Sequence, residues 1–247
     1  GAPMIDHVLR TALQLNPASI TVVVGHQGDA VRGSLDGRFP VSFVVQEPQL
    51  GTAHALLTTE PVLGRRQGTA VLLSGDVPAL RADTLRNLLS THERAGAAAT
   101  LVTACSDNPT GMGRILRDGG KIARIVEEKD ASPAERAIRE FNAGIYAFEL
   151  AGLFDAIRRI GSNNAQNEYY LPDLVSIYRA EGRGVETVSV DDTMEVQGIN
   201  SRAELAAVSR SLRQRKNAAL MAEGVTLEDP DTTYIDLDVQ ILSLIHI

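Results

Sequence analysis

Apolar positions along the chain follow two periods, one typical of amphipathic helices and one typical of short buried strands. The first helical pattern puts Ile5, Val8 and Leu9 on one face, which predicts an amphipathic helix at residues 4–14. Further helices are predicted at residues 29–35, 51–59, 82–95, 133–140, 151–160 and 201–222, and one more after residue 173. Strands are predicted at 19–25, 41–46, 97–104, 141–148 and 185–190, and one between Gly68 and Gly75.

These elements alternate at the spacing of an α/β fold with a doubly wound, mostly parallel, Rossmann-like sheet. Residues 115–117 and 121–126 flank a turn rich in glycine and predict a β-hairpin inserted into that alternation. The helix at 201–222 is longer than the others and is typical of a connector or arm. The predicted organisation is a main domain at 1–200, a connecting helix at 201–223, the start of a β-rich domain at 224–240 and an apolar, non-native tail at 241–247.

Asp76 follows the apolar run between Gly68 and Gly75, which predicts a buried parallel strand. Open α/β sheets bind their ligands at the carboxyl ends of their strands, and a carboxylate at that edge can hold a metal ion. Asp76 can equally cap the turn before the helix that follows Pro78. The local residues alone leave both interpretations open.

Other polar residues carry the same kind of double interpretation. Gly51 and Thr52 open a predicted helix, where free N–H groups could meet an anion or a carbonyl oxygen, or Thr52 could be a plain cap. Glu127 begins a charged cluster that is either a solvated loop or part of a site. Asn142 is polar inside an apolar strand, where it is either satisfied at an edge or a donor to substrate.

Composition excludes several classes of function. The 247 residues carry a net charge of −7, which disfavours nucleic acid or an anionic membrane as the main partner. Five scattered histidines lack metal-ligand spacing, so a zinc site is not expected, and Cys105 is expected to be a small, reduced core residue. The chain has no run of 18 apolar residues and no signal peptide, which predicts a cytoplasmic protein.

Seven blocks of sequence give these residues a context. They are QEPQLGTAHA at 46–55, GDVP at 75–78, NPTGMGRI at 108–115, IVEEKD at 125–130, NAGI at 142–145, NNAQNEYY at 163–170 and VQGIN at 196–200. In this order they closely resemble the bacterial bifunctional N-acetylglucosamine-1-phosphate uridyltransferase/glucosamine-1-phosphate acetyltransferase family, over residues 1–237. The resemblance implies that UTP and N-acetylglucosamine 1-phosphate give UDP-N-acetylglucosamine, a precursor of peptidoglycan and lipopolysaccharide.

The resemblance also implies roles for individual residues. Asp76 and Asn200 are expected to hold Mg²⁺, which prefers a few hard oxygen ligands beside water and substrate phosphates. The residues expected to meet the uracil are Gln46, Gly51 and Thr52. The residues expected to hold the sugar are Gly113, Glu127 and Asn142, while Ser74 and Gly75 line the floor of the cleft.

Two parts of the family pattern fall outside the given residues. The family opens with a strand, a Gly-rich loop and a lysine that bind the triphosphate, and it continues into a left-handed β-helix with acetyltransferase activity. Full-length members are expected to be homotrimers, whereas this chain is expected not to trimerise. We also expect little uridyltransferase activity from the chain alone, and we expect the family's first strand to lie centrally in the sheet.

Two other functions would place different demands on the sequence. A non-catalytic, regulatory sugar-nucleotide-binding module would not need both Asp76 and Asn200 as magnesium ligands. A Rossmann-type oxidoreductase would need a G-x-G-x-x-G motif after a first strand, and the sequence has none.

Overall fold

The computed structural model describes residues 2–236 and 238–241, so the predicted tail at 241–247 lies outside the described residues except for Ile241. The helices in this part of the chain are α1 (Met4–Leu13), α2 (Gly28–Leu35), α3 (Thr52–Leu57), α4 (Glu60–Leu63), α5 (Ala82–Ala95), α6 (Pro133–Arg136), α7 (Leu153–Ile157), α8 (Asp173–Ala180) and α9 (Arg202–Ala222). The strands are β1 (Ile20–Val24), β2 (Val41–Val45), β3 (Thr69–Leu72), β4 (Ala99–Cys105), β5 (Arg114–Asp118), β6 (Lys121–Val126), β7 (Glu140–Glu149) and β8 (Val185–Val190). A 3-10 turn covers Thr193–Val196.

Most helices lie where the hydrophobic pattern predicts them. Helix α1 buries Val8 and Leu9, as its amphipathic face requires. The helix predicted at 51–59 is shorter in the structure, since α3 ends at Leu57 and a separate helix, α4, begins at Glu60. Pro61 explains the division, because it has no N–H to donate to the carbonyl group one turn earlier.

The strands within residues 2–236 form a parallel pair, β1–β2, and a separate six-stranded sheet. In that larger sheet β4 pairs in parallel with β8, while β7 pairs antiparallel with β3, β4 and β5. Strands β3, β4, β5 and β8 therefore point the same way, and β6 and β7 oppose them. The predicted α/β class with a mostly parallel sheet is confirmed, and so is the inserted hairpin β5–β6.

The pairing of β3 differs from its prediction. The apolar run before Asp76 was expected to be a buried parallel strand, but β3 pairs antiparallel with β7 and all four of its residues are partly exposed. The reason is that β7 lies between β3 and β4, although it follows both of them in the chain. A partner so far along the chain leaves no trace in the residues of β3.

The larger sheet has an apolar layer on each face. Alternate residues of β4 enter opposite layers, since Leu101 packs with helices α3, α7 and α8, whereas Val102 packs with Leu85 and Leu88 of α5. This two-sided covering is the doubly wound arrangement that the alternation of elements predicts. The two apolar layers hold in place the strands whose ends carry the candidate site residues.

A groove of about 510 Å³ lies beside the β1–β2 pair. It is lined by Val22–Val24 of β1, by Met4 and Ile5 of α1, by Val31 of α2 and by Gly75 after β3. The expected further strand in the centre of the sheet stays a prediction.

The position of Cys105 corrects another expectation. The first six residues of β4 are buried, but Cys105 is the seventh and is exposed, because it lies at the strand end where the helical cover stops. No helix within the described residues is long and apolar enough to cross a membrane.

The segment after α9 folds back along that helix. Nδ2 of Asn217 donates to the carbonyl groups of Pro230 and Thr233 at 2.7 and 2.9 Å, and Arg213 stacks over the ring of Tyr234. The assignment of residues 224–240 to a new β-helix domain stays a prediction.

Candidate active site

Asp76 lies in the turn that follows β3, and hydrogen bonds hold this turn from two directions. The carbonyl oxygen of Asp76 accepts from the backbone N–H of Ile199 at 3.1 Å. Nη1 of Arg215, on α9, donates to the carbonyl oxygen of Ala79 at 2.7 Å. The turn is therefore tied both to the segment that carries Asn200 and to the long helix that follows that segment.

Gly198 lies between the side chains of Asp76 and Asn200. A Cβ atom built on Gly198 would be 3.4 Å from Oδ2 of Asp76 and 3.9 Å from Nδ2 of Asn200. Both side chains thus come within van der Waals distance of the point that Gly198 leaves open. A carboxylate and an amide that can turn its oxygen inward are a suitable donor pair for Mg²⁺, which completes its octahedron with water and phosphate oxygens.

This pair is the extent of the candidate metal site. No group of three or more His, Cys, Asp or Glu side chains within the described residues is arranged to hold a metal ion. A site with few protein ligands is the kind that Mg²⁺ shares with substrate phosphates, rather than a closed structural site.

A second group of predicted residues forms around the start of α3. Nε2 of Gln46 donates to the carbonyl oxygen of Gly51 at 2.9 Å and lies 3.2 Å from Nδ1 of His54. Oγ1 of Thr52 accepts from the backbone N–H of Leu171 at 3.1 Å, so this side chain does not cap its own helix. Gln46, Gly51 and Thr52 therefore lie in one connected part of the structure.

The start of α3 offers fewer free donors than the sequence suggested. The backbone N–H of Ala53 already donates to the carbonyl oxygen of Tyr169 at 3.0 Å, and Tyr169 N–H donates to Leu50 at 2.8 Å. The chain that follows the Asn-rich loop, at residues 162–168, thus occupies the start of α3. The backbone N–H of Ala53 is therefore not free to meet a ligand, and the predicted contact of this unit with uracil stays a prediction.

We predict that Gly51→Ala lowers the free energy of unfolding by roughly 2–3 kcal/mol. Gly51 has φ +100° and ψ 179°, a conformation almost restricted to glycine, and a Cβ atom there would be 2.8 Å from the carbonyl oxygen of Tyr169. Urea denaturation measures the loss. Gly33→Ala is the matched control, because a Cβ there meets nothing within 4 Å. Equal unfolding free energies for the two variants would contradict the prediction.

The third group brings together Gly113, which precedes β5, Glu127, which follows β6, and Asn142, which lies in β7. The backbone N–H of Asn142 donates to the carbonyl oxygen of Gly113 at 2.8 Å. A Cβ atom on Gly113 would lie 3.1 Å from Oε1 of Glu127 and 3.0 Å from Ile125, so glycine gives the carboxyl group its room. Oδ1 of Asn142 accepts from Gly144 N–H at 3.0 Å, which leaves the amide NH₂ as the donor for a ligand.

Ser74 connects this group to the turn that carries Asp76. Its Oγ lies 3.7 Å from the position of a Cβ on Gly144, a residue of β7 with φ +73°. Gly75 follows at the exposed bottom of the turn, where a Cβ would lie 3.2 Å from Cδ1 of Ile5. The predicted floor residues are thus adjacent to the sugar-side group and to Asp76.

Glu127 has the most perturbed electrostatic environment of the predicted site residues. Burial raises its pKa, Asp173 and Asp130 raise it further, and Arg114 opposes them. The pKa of Asp173 is raised as well, by burial and by Asp130. Burial and the resistance of neighbouring carboxyl groups to joint ionisation are thus the reasons why the pKa values of Glu127 and Asp173 are raised in this acid cluster. Acidic residues with perturbed pKa values are typical of a functional site.

Sequence reasoning missed Asp130 and Asp173 as members of this site. Asp130 lies in a charged run that is usually a solvated loop, but its Oδ1 accepts from Ala165 N–H at 2.9 Å and so fixes the Asn-rich loop. Burial and Asp130 together raise the pKa of Tyr170 to about 12. The signal in the sequence was the IVEEKD block, in which Asp130 is the last residue.

The Asn-rich loop has an internal framework as well. Nδ2 of Asn164 donates to the carbonyl oxygen of Glu168 at 2.6 Å, and Oδ1 of Asn164 accepts from Gln166 and Glu168 N–H groups, each at 3.2 Å. The loop therefore connects the acid cluster to the start of α3 as a shaped wall. Its predicted role, shaping the cleft rather than performing chemistry, stays a prediction.

Comparison with known proteins gives a consistent set of relatives. Residues 1–193 match the family described as nucleotidyl transferase. The chain is 47% identical over 242 residues to the Bifunctional protein GlmU of Pelobacter propionicus and 48% identical over 242 residues to that of Trichlorobacter lovleyi. The Enterococcus faecalis protein of the same name is 41% identical over 237 residues.

These alignments cover unequal shares of this chain and of its relatives. The Pelobacter propionicus and Trichlorobacter lovleyi alignments include 98% of this chain but 53% of each relative, so the chain spans about half the length of the curated relatives it matches. A solved structure from Bacillus anthracis, described as a glucose-1-phosphate thymidylyltransferase, superposes with a TM-score of 0.64 at 18% identity. The superposition covers 93% of this chain and 86% of the Bacillus anthracis chain, which shows a shared fold.

Proposed function

Since the chain belongs to the nucleotidyl transferase family, we propose that its site transfers the uridylyl group of UTP to N-acetylglucosamine 1-phosphate. The products are UDP-N-acetylglucosamine and pyrophosphate. The observation that carries the proposal is the approach of Asp76 and Asn200 to the point that Gly198 leaves open. A module that only binds a sugar nucleotide has no need of this donor pair, so the regulatory alternative is not favoured.

The proposed reaction is an in-line displacement at the α-phosphorus of UTP. A phosphate oxygen of the sugar phosphate forms the new P–O bond, and the bond to the bridging oxygen breaks, so that pyrophosphate leaves with the electron pair. The protein chiefly orients two anions and offsets their charge. Mg²⁺ bound by Asp76 and Asn200 would supply charge neutralisation at the phosphates.

The other residues bind and orient the substrates. The Gln46 amide and the backbone of Gly51 would meet the imide edge of uracil. Two hydrogen bonds support this role, because Gln46 donates to Gly51 and Thr52 accepts from Leu171. On the sugar side, Glu127 offers a carboxyl group that would accept hydrogen bonds from sugar hydroxyl groups, and burial raises its pKa. Asn142 adds amide donors from β7.

Pyrophosphate release in the presence of UTP, N-acetylglucosamine 1-phosphate and Mg²⁺ tests the proposal. We expect little release from the chain alone and strong release after a family-type strand, Gly-rich loop and lysine are joined to its amino end. Those parts would add preorganised donors to phosphate, each worth about a hundredfold or more in rate. No release from a well-folded extended chain would reject the proposal. Transfer of an adenylyl or thymidylyl group in place of the uridylyl group would reject UTP as the substrate.

The partners follow from the same proposal. UTP and N-acetylglucosamine 1-phosphate are the small-molecule partners, and Mg²⁺ is the metal. We further propose that the full-length form is a homotrimeric, cytoplasmic protein with acetyltransferase activity as well. The relatives' name, Bifunctional protein GlmU, supports a second activity in such a longer chain.

A further inference from the structure

Glu204 makes one hydrogen bond more than helix capping requires. Helix α9 begins with a capping box, in which Oγ of Ser201 accepts from Glu204 N–H at 3.2 Å and Oε2 of Glu204 accepts from Ser201 N–H at 2.8 Å. The same Oε2 atom also accepts from the backbone N–H of Asn200 at 2.7 Å. The carboxylate thus reaches past the cap to the residue before it.

The chain contains a second capping box that serves as an internal comparison. At the start of α6, Glu135 accepts from the backbone N–H of Ser132 at 2.8 Å and from its hydroxyl at 2.7 Å. Its other oxygen faces Arg124. In that box the glutamate binds the cap and a surface arginine, whereas Glu204 binds the cap and the proposed metal ligand.

Asn200 depends on its backbone for its position. The residue is exposed, so side-chain packing does not fix the direction of its amide. The backbone is held on one side by Ile199 N–H, which donates to the carbonyl oxygen of Asp76, and on the other side by Glu204. Helix α9 is itself bound to the Asp76 turn through Arg215. These bonds connect both proposed ligands in one frame.

We propose that Glu204 is a positioning residue, which fixes the backbone of Asn200 so that its amide faces Asp76 across Gly198. This rests on the proposed metal site. Outer partners of metal ligands commonly change metal affinity when they are removed, because the ligand then samples other directions. A residue that only caps α9 would change the stability of the helix and leave the affinity for metal unchanged.

Binding of Mn²⁺, followed by electron paramagnetic resonance in the presence of UDP-N-acetylglucosamine, separates these roles. Mn²⁺ accepts the same octahedral oxygen donors as Mg²⁺. We expect Glu204→Ala to weaken Mn²⁺ binding by about tenfold. Glu204→Gln keeps a carbonyl oxygen that can accept both N–H groups, and it should bind Mn²⁺ within about twofold of the parent chain.

Ser201→Ala is the matched control, because it removes the other half of the capping box and leaves the bond from Asn200 to Glu204. It should lower the thermal unfolding midpoint as a lost cap does, with Mn²⁺ binding unchanged. Equal losses of Mn²⁺ affinity in Ser201→Ala and Glu204→Ala would overturn the positioning role and leave only a cap. Unchanged affinity in Glu204→Ala would overturn it as well.

A further comparison distinguishes failure of this inference from failure of the proposed function. If the Asp76→Asn variant binds Mn²⁺ as tightly as the parent chain does, the metal is bound elsewhere and both proposals are rejected. If Asp76→Asn abolishes binding and Glu204→Ala does not change it, only the role of Glu204 is rejected. Amide hydrogen exchange gives an independent result, since Glu204→Ala should speed exchange at Asn200 and Ser201→Ala should not.

Discussion

Replacing Asp76 by Asn is expected to lower uridyltransferase turnover by roughly a hundredfold or more, about 2.7 kcal/mol in the activation barrier. The substitution keeps the size of the side chain and the backbone bond from Ile199, so the fold should persist. It removes the formal negative charge of the Asp76 carboxylate beside Gly198, and this should weaken the binding of a metal at the reacting phosphates. Initial rates of pyrophosphate release from the extended chain measure the effect.

Asp83→Asn is the control for the loss of one charge. Asp83 lies in the first turn of α5, and its side chain is 89% exposed in a surface pair with Arg86. Surface pairs of this kind contribute little to stability, and turnover should remain at the parent level. Near-parental turnover of Asp76→Asn at saturating Mg²⁺ would remove Asp76 from the site.

Gly198→Ala is expected to abolish most of the metal-dependent binding while it leaves the protein folded. The added Cβ atom would make ordinary van der Waals contacts, at 3.4 Å from Asp76 Oδ2 and 3.9 Å from Asn200 Nδ2. The midpoint of thermal unfolding should therefore change by no more than about 2 °C. The methyl group would occupy the space between the two ligands, and we expect Mn²⁺ affinity to fall by about tenfold or more.

Calorimetric titration of UDP-N-acetylglucosamine with and without Mn²⁺ measures this loss. Gly161→Ala is the control, since a Cβ there meets nothing within 4 Å and should change neither stability nor affinity. Unchanged metal dependence in Gly198→Ala would mean that Asp76 and Asn200 do not share a ligand. A large fall in thermal stability would instead show that Gly198 has a structural role.

The elements that depend on local sequence were predictable. Helix α1 follows from its apolar face, and the β5–β6 hairpin follows from the turn at Gly119 and Gly120, which have φ +55° and +81°. In each case the residues that decide the conformation lie within a few positions of one another. The α/β class follows as well, because it needs only the order of elements.

The pairing of strands was not predictable in the same way. The position of β7 between β3 and β4 made the partner of β3 antiparallel, and the end of the helical cover left Cys105 exposed. Both outcomes depend on segments far apart in the chain. A hydrophobic run records that a strand is buried on average, but it does not record which neighbour buries it.

The sequence by itself determined the class of the fold, the family resemblance and the identity of the residues expected at the site. Only the tertiary structure decided that Asp76 and Asn200 approach the same point at Gly198, that Asp130 and Asp173 join Glu127, and that Glu204 binds the backbone of Asn200. The physical reason is that coordination, desolvation and hydrogen bonding act over a few ångströms. Such distances between residues remote in the chain exist only after the strands have paired and the helices have packed.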